Sequence, residues 1–256
     1  LAAGYAWMLG RQRYSGQGMI TLRNWYLTPV GRLLESVERH ALERRMDALS
    51  GAALLQLGGF GSVPRLPANT ARQWLIEPLE EGSADCRSLF EQLPFQSNSI
   101  DIVVLVHALE YSEEPQTVLR EAERVLAPDG TLLMLGFNPW SSWGVTRAWR
   151  GHPNADGPWR GHYLSSGRAR DWMGLLGLEV ETVDYLYFRP PWNNWKAQER
   201  LQPLERFGAL CLPWFSGVYL TTARKRVAGV TPLRPHWQKQ RRLVGRGLAQ
   251  PTSRNY

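Results

Sequence analysis

The run DIVVLVHAL at 101–109 restricts the possible folds more than any other segment of this chain. Nine residues are too few for a membrane-crossing helix, and a near-continuous Val, Ile and Leu run suits a strand buried on both faces of a parallel sheet. Such a strand needs helices above and below it. The spacing predicts one over 115–127, where Val118, Leu119, Ala122, Val125 and Leu126 share a side before the turn at Pro128-Asp129-Gly130. A second is expected over 29–49, with Pro29 in its first turn, an apolar stripe through Leu34, Ala41, Leu42 and Met46, and Gly51 as its stop. ALLQLGG (53–59), RQWLIEP (72–78) and TLLMLGFN (131–138) read as further strands, GRARDWMGLLG (167–177) as a helix, LEVETVDYLYF (178–188) as a half-exposed strand, and VYLTTARKR (218–226) as the closing strand. Alternating strands and helices predict an α/β, Rossmann-like doubly wound sheet. Its chemistry belongs in the loops at the carboxyl ends of the strands, after residues 57, 77, 108 and 138.

Composition bounds the function. A chain of 256 residues with 43% hydrophobic content supports one principal core. It has no apolar run approaching the roughly 20 residues of a membrane span, and RQRYSGQG follows the opening LAAGYAWMLG where a cleavage site would need small residues. A cytoplasmic protein without a membrane span is expected. Two cysteines, Cys86 and Cys211, and five histidines without ligand spacing predict no metal and no disulfide framework. The net charge of +7 is local: ten Lys or Arg and no Asp or Glu lie between Arg206 and Tyr256. Met19 opens the first stretch that reads as folded, so 1–18 is expected to be a non-native or disordered extension, 19–228 the domain, and 229–256 a disordered basic tail. A solvated tail is favoured over a nucleic-acid anchor because no aromatic stacking pattern accompanies the charge.

The turn after the first strand, LLQLGGFGS, supplies Gly58, Gly59 and Gly61. Glycines there let a ligand approach the backbone and its N–H donors, although a tight strand-to-helix turn uses the same residues. Glu77 lies 19 residues beyond Gly58 at the end of the second strand. A carboxylate there matches the paired hydroxyls of a ribose; the competing reading is an ordinary loop Glu before Pro78. Trp140, Trp143, Trp149 and Trp159 follow the fifth strand, and Trp192, Trp195 and Trp214 fall between the last two. They are expected to sit on long loops, either walling an apolar acceptor site or filling a minor core.

The run LPFQSNSIDIVVLVHALEYSEEPQTVLREAERVLAPDGTLLMLGFNP at 93–139 resembles the type-11 class I methyltransferases. Leu93-Pro94-Phe95, Asp101, Leu109-Glu110, Pro115, Leu119-Arg120-Glu121, Arg124-Val125-Leu126 and Gly130 carry the match, while GFNPWSSWG (136–144) and DWMGLLGLEV (171–180) are similar to a bacterial YafS-like branch. The resemblance implies a seven-stranded sheet with an antiparallel last strand, with 178–188 and 218–226 as adjacent exposed strands. It also implies S-adenosylmethionine as cofactor and methyl transfer to a small acceptor. Gln56 stands where the family has an acidic residue, and Phe60 and Ser62 occupy two of its glycine positions. By the same resemblance Gln56 would meet the methionine ammonium and Asp85, four residues displaced, the adenine edge. His107 would lie between cofactor and acceptor, positioning the acceptor or acting as a base. Asn138-Pro139-Trp140 echoes an amino-methyltransferase motif but follows the fifth strand instead of the fourth, so a proline-directed turn with a packed Trp is the favoured account. The alternatives are a binding or regulatory protein that has lost turnover through its altered glycine loop, and a nucleic-acid methyltransferase anchored by the tail.

Overall fold

The computed structural model describes residues 16–49, 51–61, 63–68, 70–78, 84–150, 157–192 and 195–226. The basic tail at 229–256 and the first fifteen residues of the N-terminal extension lie outside them.

Two helices precede the sheet. The first, α1, covers 16–26, so it begins ahead of Met19 and the domain start expected there cuts through its first turn. The second, α2 (Pro29–Met46), is capped by Thr28, whose hydroxyl accepts the Gly31 amide, with Pro29 pre-set for the first turn and Arg44 and Arg45 at the negative end of the helix dipole. Gly31 lets the helices meet: a Cβ there would collide with the Trp25 carbonyl and the Tyr26 backbone. The buried face of α2 carries Val30, Leu34, Ala41 and Leu42, and also Glu35 and Glu38.

Seven strands follow in the spatial order β3-β2-β1-β4-β5-β7-β6. They are β1 (Ala53–Leu57), β2 (Arg72–Glu77), β3 (Cys86–Arg87), β4 (Ile100–Val106), β5 (Leu126–Phe137), β6 (Leu178–Leu186) and β7 (Val218–Lys225). All pairings through β5 are parallel, whereas β7 runs antiparallel to both β5 and β6. Every residue of β1 is buried, as are nearly all of β4, which agrees with strands covered on both faces. Helix α3 (Pro115–Val125) buries Val118, Leu119, Ala122 and Val125 and packs on β5. Helix α5 (Ser166–Leu175) packs on β6 and β7.

The structure departs from the sequence reading at four points. No helix lies between β1 and β4 among the described residues, so the glycine turn is followed by an irregular segment and lacks a helix N-terminus. Strand β7 is buried along nearly its whole length because it is inserted between β5 and the true edge strand, β6; it is not an exposed neighbour. The two-residue β3 was invisible to pattern reading because it carries no periodicity. The tryptophan-rich segments hold helices α4 (Ser142–Arg150), α6 (Trp195–Arg200) and α7 (Gln202–Cys211), not long loops.

Candidate functional site

Strand order reverses between β1 and β4, and the turns leaving these strands face each other. Gly58 leaves β1 with φ +84°, a conformation that favours glycine, and a Cβ there would lie 2.6 Å from the Val106 carbonyl and from the Met19 methyl. Its amide donates to Ile76 O at 3.0 Å, which draws the end of β2 alongside. That brings Glu77 over the loop: a Cβ on Gly59 would stand 2.5 Å from Glu77 Oε1. Burial raises the Glu77 pKa, opposed by the Arg23 guanidinium 3.5 Å away.

The irregular loop is held by Gln56 instead of a helix. Its Nε2 donates to Gly58 O at 2.9 Å and Pro64 O at 2.7 Å, and its Oε1 accepts the Leu66 amide at 3.0 Å. Gln56 is thus committed to the loop interior, and a carboxylate in its place could not donate to the two carbonyls. Phe60 is fully buried between Tyr26, with centroids 5.8 Å apart, and the Arg39 guanidinium at 4.6 Å. This large ring anchors the loop under α1 and α2. Gly61 is likewise pressed against Tyr26. Ser62 lies outside the described residues.

His107 follows β4 in a left-handed conformation, φ +51°, and is completely buried. Its Nε2 is 3.0 Å from Glu38 Oε1 and its Nδ1 is 3.4 Å from Glu110 Oε1, while the ring stacks on Phe137 at 4.1 Å. Tyr26 donates to Glu38 Oε2 at 2.7 Å and the Phe137 amide to Glu110 Oε1 at 2.7 Å. Burial alone would lower the imidazole pKa, but Glu38 and Glu110 outweigh it and hold the ring up to about 9. A carboxylate faces each ring nitrogen, an arrangement that favours the imidazolium, which donates from both. Glu110 Oε2 is buried with no hydrogen-bond partner among the described residues.

The other expected residues disperse. Asp85 accepts the Leu75 amide at 2.9 Å and pairs with Arg65 at 2.5 Å, pinning β3 to β2; these contacts lower its pKa against the effect of burial. Asn138 donates to Trp214 O at 2.6 Å and Ser216 O at 2.9 Å and accepts the Trp140 amide at 3.1 Å, which makes it the clip of a turn. Trp143 is fully buried, stacked with Trp159 and edge-on to Trp25, and its indole donates to Arg189 O at 2.9 Å. Trp140 and Trp192, by contrast, are exposed. The Trp195 side chain lies outside the described residues. The tryptophans thus split between a minor core and an outer rim.

Glu38 was missed. It stands four residues from both Leu34 and Leu42, on the apolar stripe of α2. A carboxylate in that position was the available signal, since Glu is almost never buried unless paired. Glu110 was noted only as part of a sequence resemblance.

Among the described residues no group of His, Cys, Asp and Glu could hold a metal ion, and no helix is long and apolar enough to cross a membrane. Residues 71–134 match the family model described as a methyltransferase domain. The Escherichia coli K12 protein YafS is 29% identical over 176 residues, covering 66% of this chain and 70% of YafS. A Mycobacterium tuberculosis H37Rv protein is 28% identical over 138 residues, half of this chain and 48% of its own length. Among solved structures, a Thermotoga maritima S-adenosylmethionine-dependent methyltransferase, described as a possible histamine N-methyltransferase, aligns with a TM-score of 0.55 at 16% identity, over 88% of this chain and 96% of that one. At such identity the likeness is one of fold.

Proposed function

We propose that the chain transfers methyl from S-adenosylmethionine to a small apolar or aromatic acceptor; a match of residues 71–134 to a methyltransferase domain and the sheet order β3-β2-β1-β4-β5-β7-β6 support this reading. The observation that carries this reading is the contact between Gly59 and Glu77 at the switch point: glycine backbone and a carboxylate converge where a cofactor of this fold is held. The residues fit the group in part. Gly58 and Gly59 let Met19, Val106, Pro64 and Glu77 press against the turn where a Cβ would collide with them, and Glu77 offers two acceptors to a pair of hydroxyls. Gln56 does not reach out of the loop, so it is a scaffold residue and no partner for an ammonium group.

When bound, S-adenosylmethionine supplies a methyl already activated on sulfonium. What this chain adds is placement, which accounts for most of the rate in such a displacement. His107 and Phe137 form a buried, stacked floor at the ends of β4 and β5. The histidine holds Glu38 and Glu110 in position, and Glu110 Oε2 has no hydrogen-bond partner among the described residues. Trp143 and Trp159 back the floor with an apolar wall.

A second reading has its own support. Met19 lies on Gly58, Arg23 on Glu77 and Tyr26 on Gly61, so α1 covers the cradle. A protein that keeps α1 in place would bind no cofactor and serve as a binding module. Calorimetric titration with S-adenosylmethionine and S-adenosylhomocysteine separates the two. Saturable binding, weakened roughly tenfold or more in Glu77→Gln and Gly59→Val, supports the enzyme. Absence of heat at every accessible concentration, with the protein folded, leaves the module.

A further inference from the structure

Helix α1 lies on the turn that a cofactor would occupy, and the way it is seated decides which part of it can give way. Met19, Arg23 and Tyr26 recur at i, i+4 and i+7 and so form one stripe over the loop after β1. The Met19 methyl would stand 2.6 Å from a Cβ on Gly58, Arg23 pairs with Glu77, and Tyr26 presses on Gly61. The backbone behind this stripe is locked. Leu22 and Tyr26 are fully buried, and the Tyr26 hydroxyl donates at 2.7 Å to Glu38 in the buried cluster with His107. Trp25 lies edge-on to Trp143 at 5.6 Å. Glycines seat the helix closely: a Cβ on Gly18 would collide with the Tyr111 ring, on Gly157 with Trp25, and on Gly31 with the Trp25 carbonyl where α1 turns into α2. Swinging α1 away would expose these apolar side chains together and strip Glu38 Oε2 of its donor.

Met19 and Arg23 are held differently. Met19 meets Gly58 through its terminal methyl, at the end of an unbranched and flexible thioether chain. Arg23 meets Glu77 through one guanidinium nitrogen at 3.5 Å, longer than a charge-assisted hydrogen bond, with its side chain 27% exposed. An ion pair of that length and exposure contributes little. Two hydroxyls of a ribose would give Glu77 two donors in exchange for this one.

We propose that Met19 and Arg23 form a two-residue gate on a stationary α1, and that a nucleoside cofactor enters by displacing the Met19 methyl from Gly58 and the Arg23 guanidinium from Glu77. The cover over the turn is lifted by two side chains, not by the helix, which stays as a wall of the site. The identity of the ligand rests on the methyl-transfer reading.

Calorimetric titration of the full chain with S-adenosylhomocysteine, joined to hydrogen exchange of the α1 amides, tests the gate. Met19→Ala should tighten binding about tenfold, because the apolar contact that the ligand must break is gone, and Arg23→Met about two- to fivefold. Arg23→Met alters a partly exposed side chain and carries the test if Met19→Ala fails to fold. Leu22→Ala, which loosens the seat of the helix, should leave affinity unchanged or weaker, with circular dichroism unchanged. The α1 amides should be at least as protected in the saturated protein as in the free one. Heat that appears only in the gate variants supports a gate closed in the wild type. Heat with the wild type, but unchanged or weaker binding in either gate variant, overturns the gate and leaves the methyl-transfer reading standing. Tighter binding in Leu22→Ala, or loss of α1 protection on saturation, overturns the stationary helix and makes α1 the moving part. No heat with the wild type or with either folded gate variant overturns the methyl-transfer reading, and the gate with it.

Discussion

Raising the pH above neutrality should weaken this fold, and the cause lies in one imidazole. His107 keeps its proton in the native state up to about 9, against 6.5 for an unrestrained histidine. A group whose native pKa is raised contributes stability that is complete below its unfolded pKa and disappears as pH climbs through the native one. Each pH unit in that window is worth about 1.4 kcal/mol, so roughly 3 kcal/mol should be lost between pH 6.5 and pH 9. That is a large share of the stability of an ordinary domain, which is about 5–15 kcal/mol. His162 acts with the opposite sign, since burial and Arg147 lower its pKa below 6.5, and its contribution is already complete at the start of the window. The assay is urea denaturation followed by tryptophan fluorescence, repeated from about pH 6 to about pH 10. Glu38→Gln removes one of the two carboxylates that hold the proton and should move the descending limb to lower pH. A stability that stays level or rises between about pH 7 and pH 9 would refute the charged histidine and the donor role built on it.

Trp143→Ala should cost about 3–5 kcal/mol, because it empties a fully buried site between Trp25, Phe137 and Tyr187 and strands the Arg189 carbonyl; thermal or chemical melts measure it. Arg23→Met removes the cation that α1 places 3.5 Å from Glu77. If α1 competes with the cofactor for that carboxylate, calorimetry should show affinity for S-adenosylmethionine rising by a few-fold; a drop would make Arg23 part of the binding site instead.

The parts of the site that were legible in the sequence are those written in local pattern. Glycines after an apolar run announced the turn at Gly58, and the spacing to Glu77 brought the carboxylate to the end of β2. What each residue does there was not legible, because it depends on neighbours distant in the chain. Gln56 reads as a substitute for an acid, yet its three hydrogen bonds go to Gly58, Pro64 and Leu66, which meet it because the described residues after β1 form an irregular loop. Phe60 reads as an obstacle in a glycine slot, and its ring is spent anchoring the loop beneath α1 and α2.

Burial on both faces of 101–109, helical spacing in 29–49 and 115–127, and the acid-free end of the chain are properties of consecutive residues, and sequence alone determined them. Tertiary structure alone decided that β7 would be inserted inside β6 and so be buried, and that Glu38 would meet His107 across 69 positions. It alone separated the tryptophans into a core around Trp143 and a rim around Trp140. The physical reason is the same in each case: periodicity reports which face of an element avoids water, but the partner on that face, and with it the protonation of an imidazole or the exposure of an indole, is set by which distant segment the sheet order brings alongside.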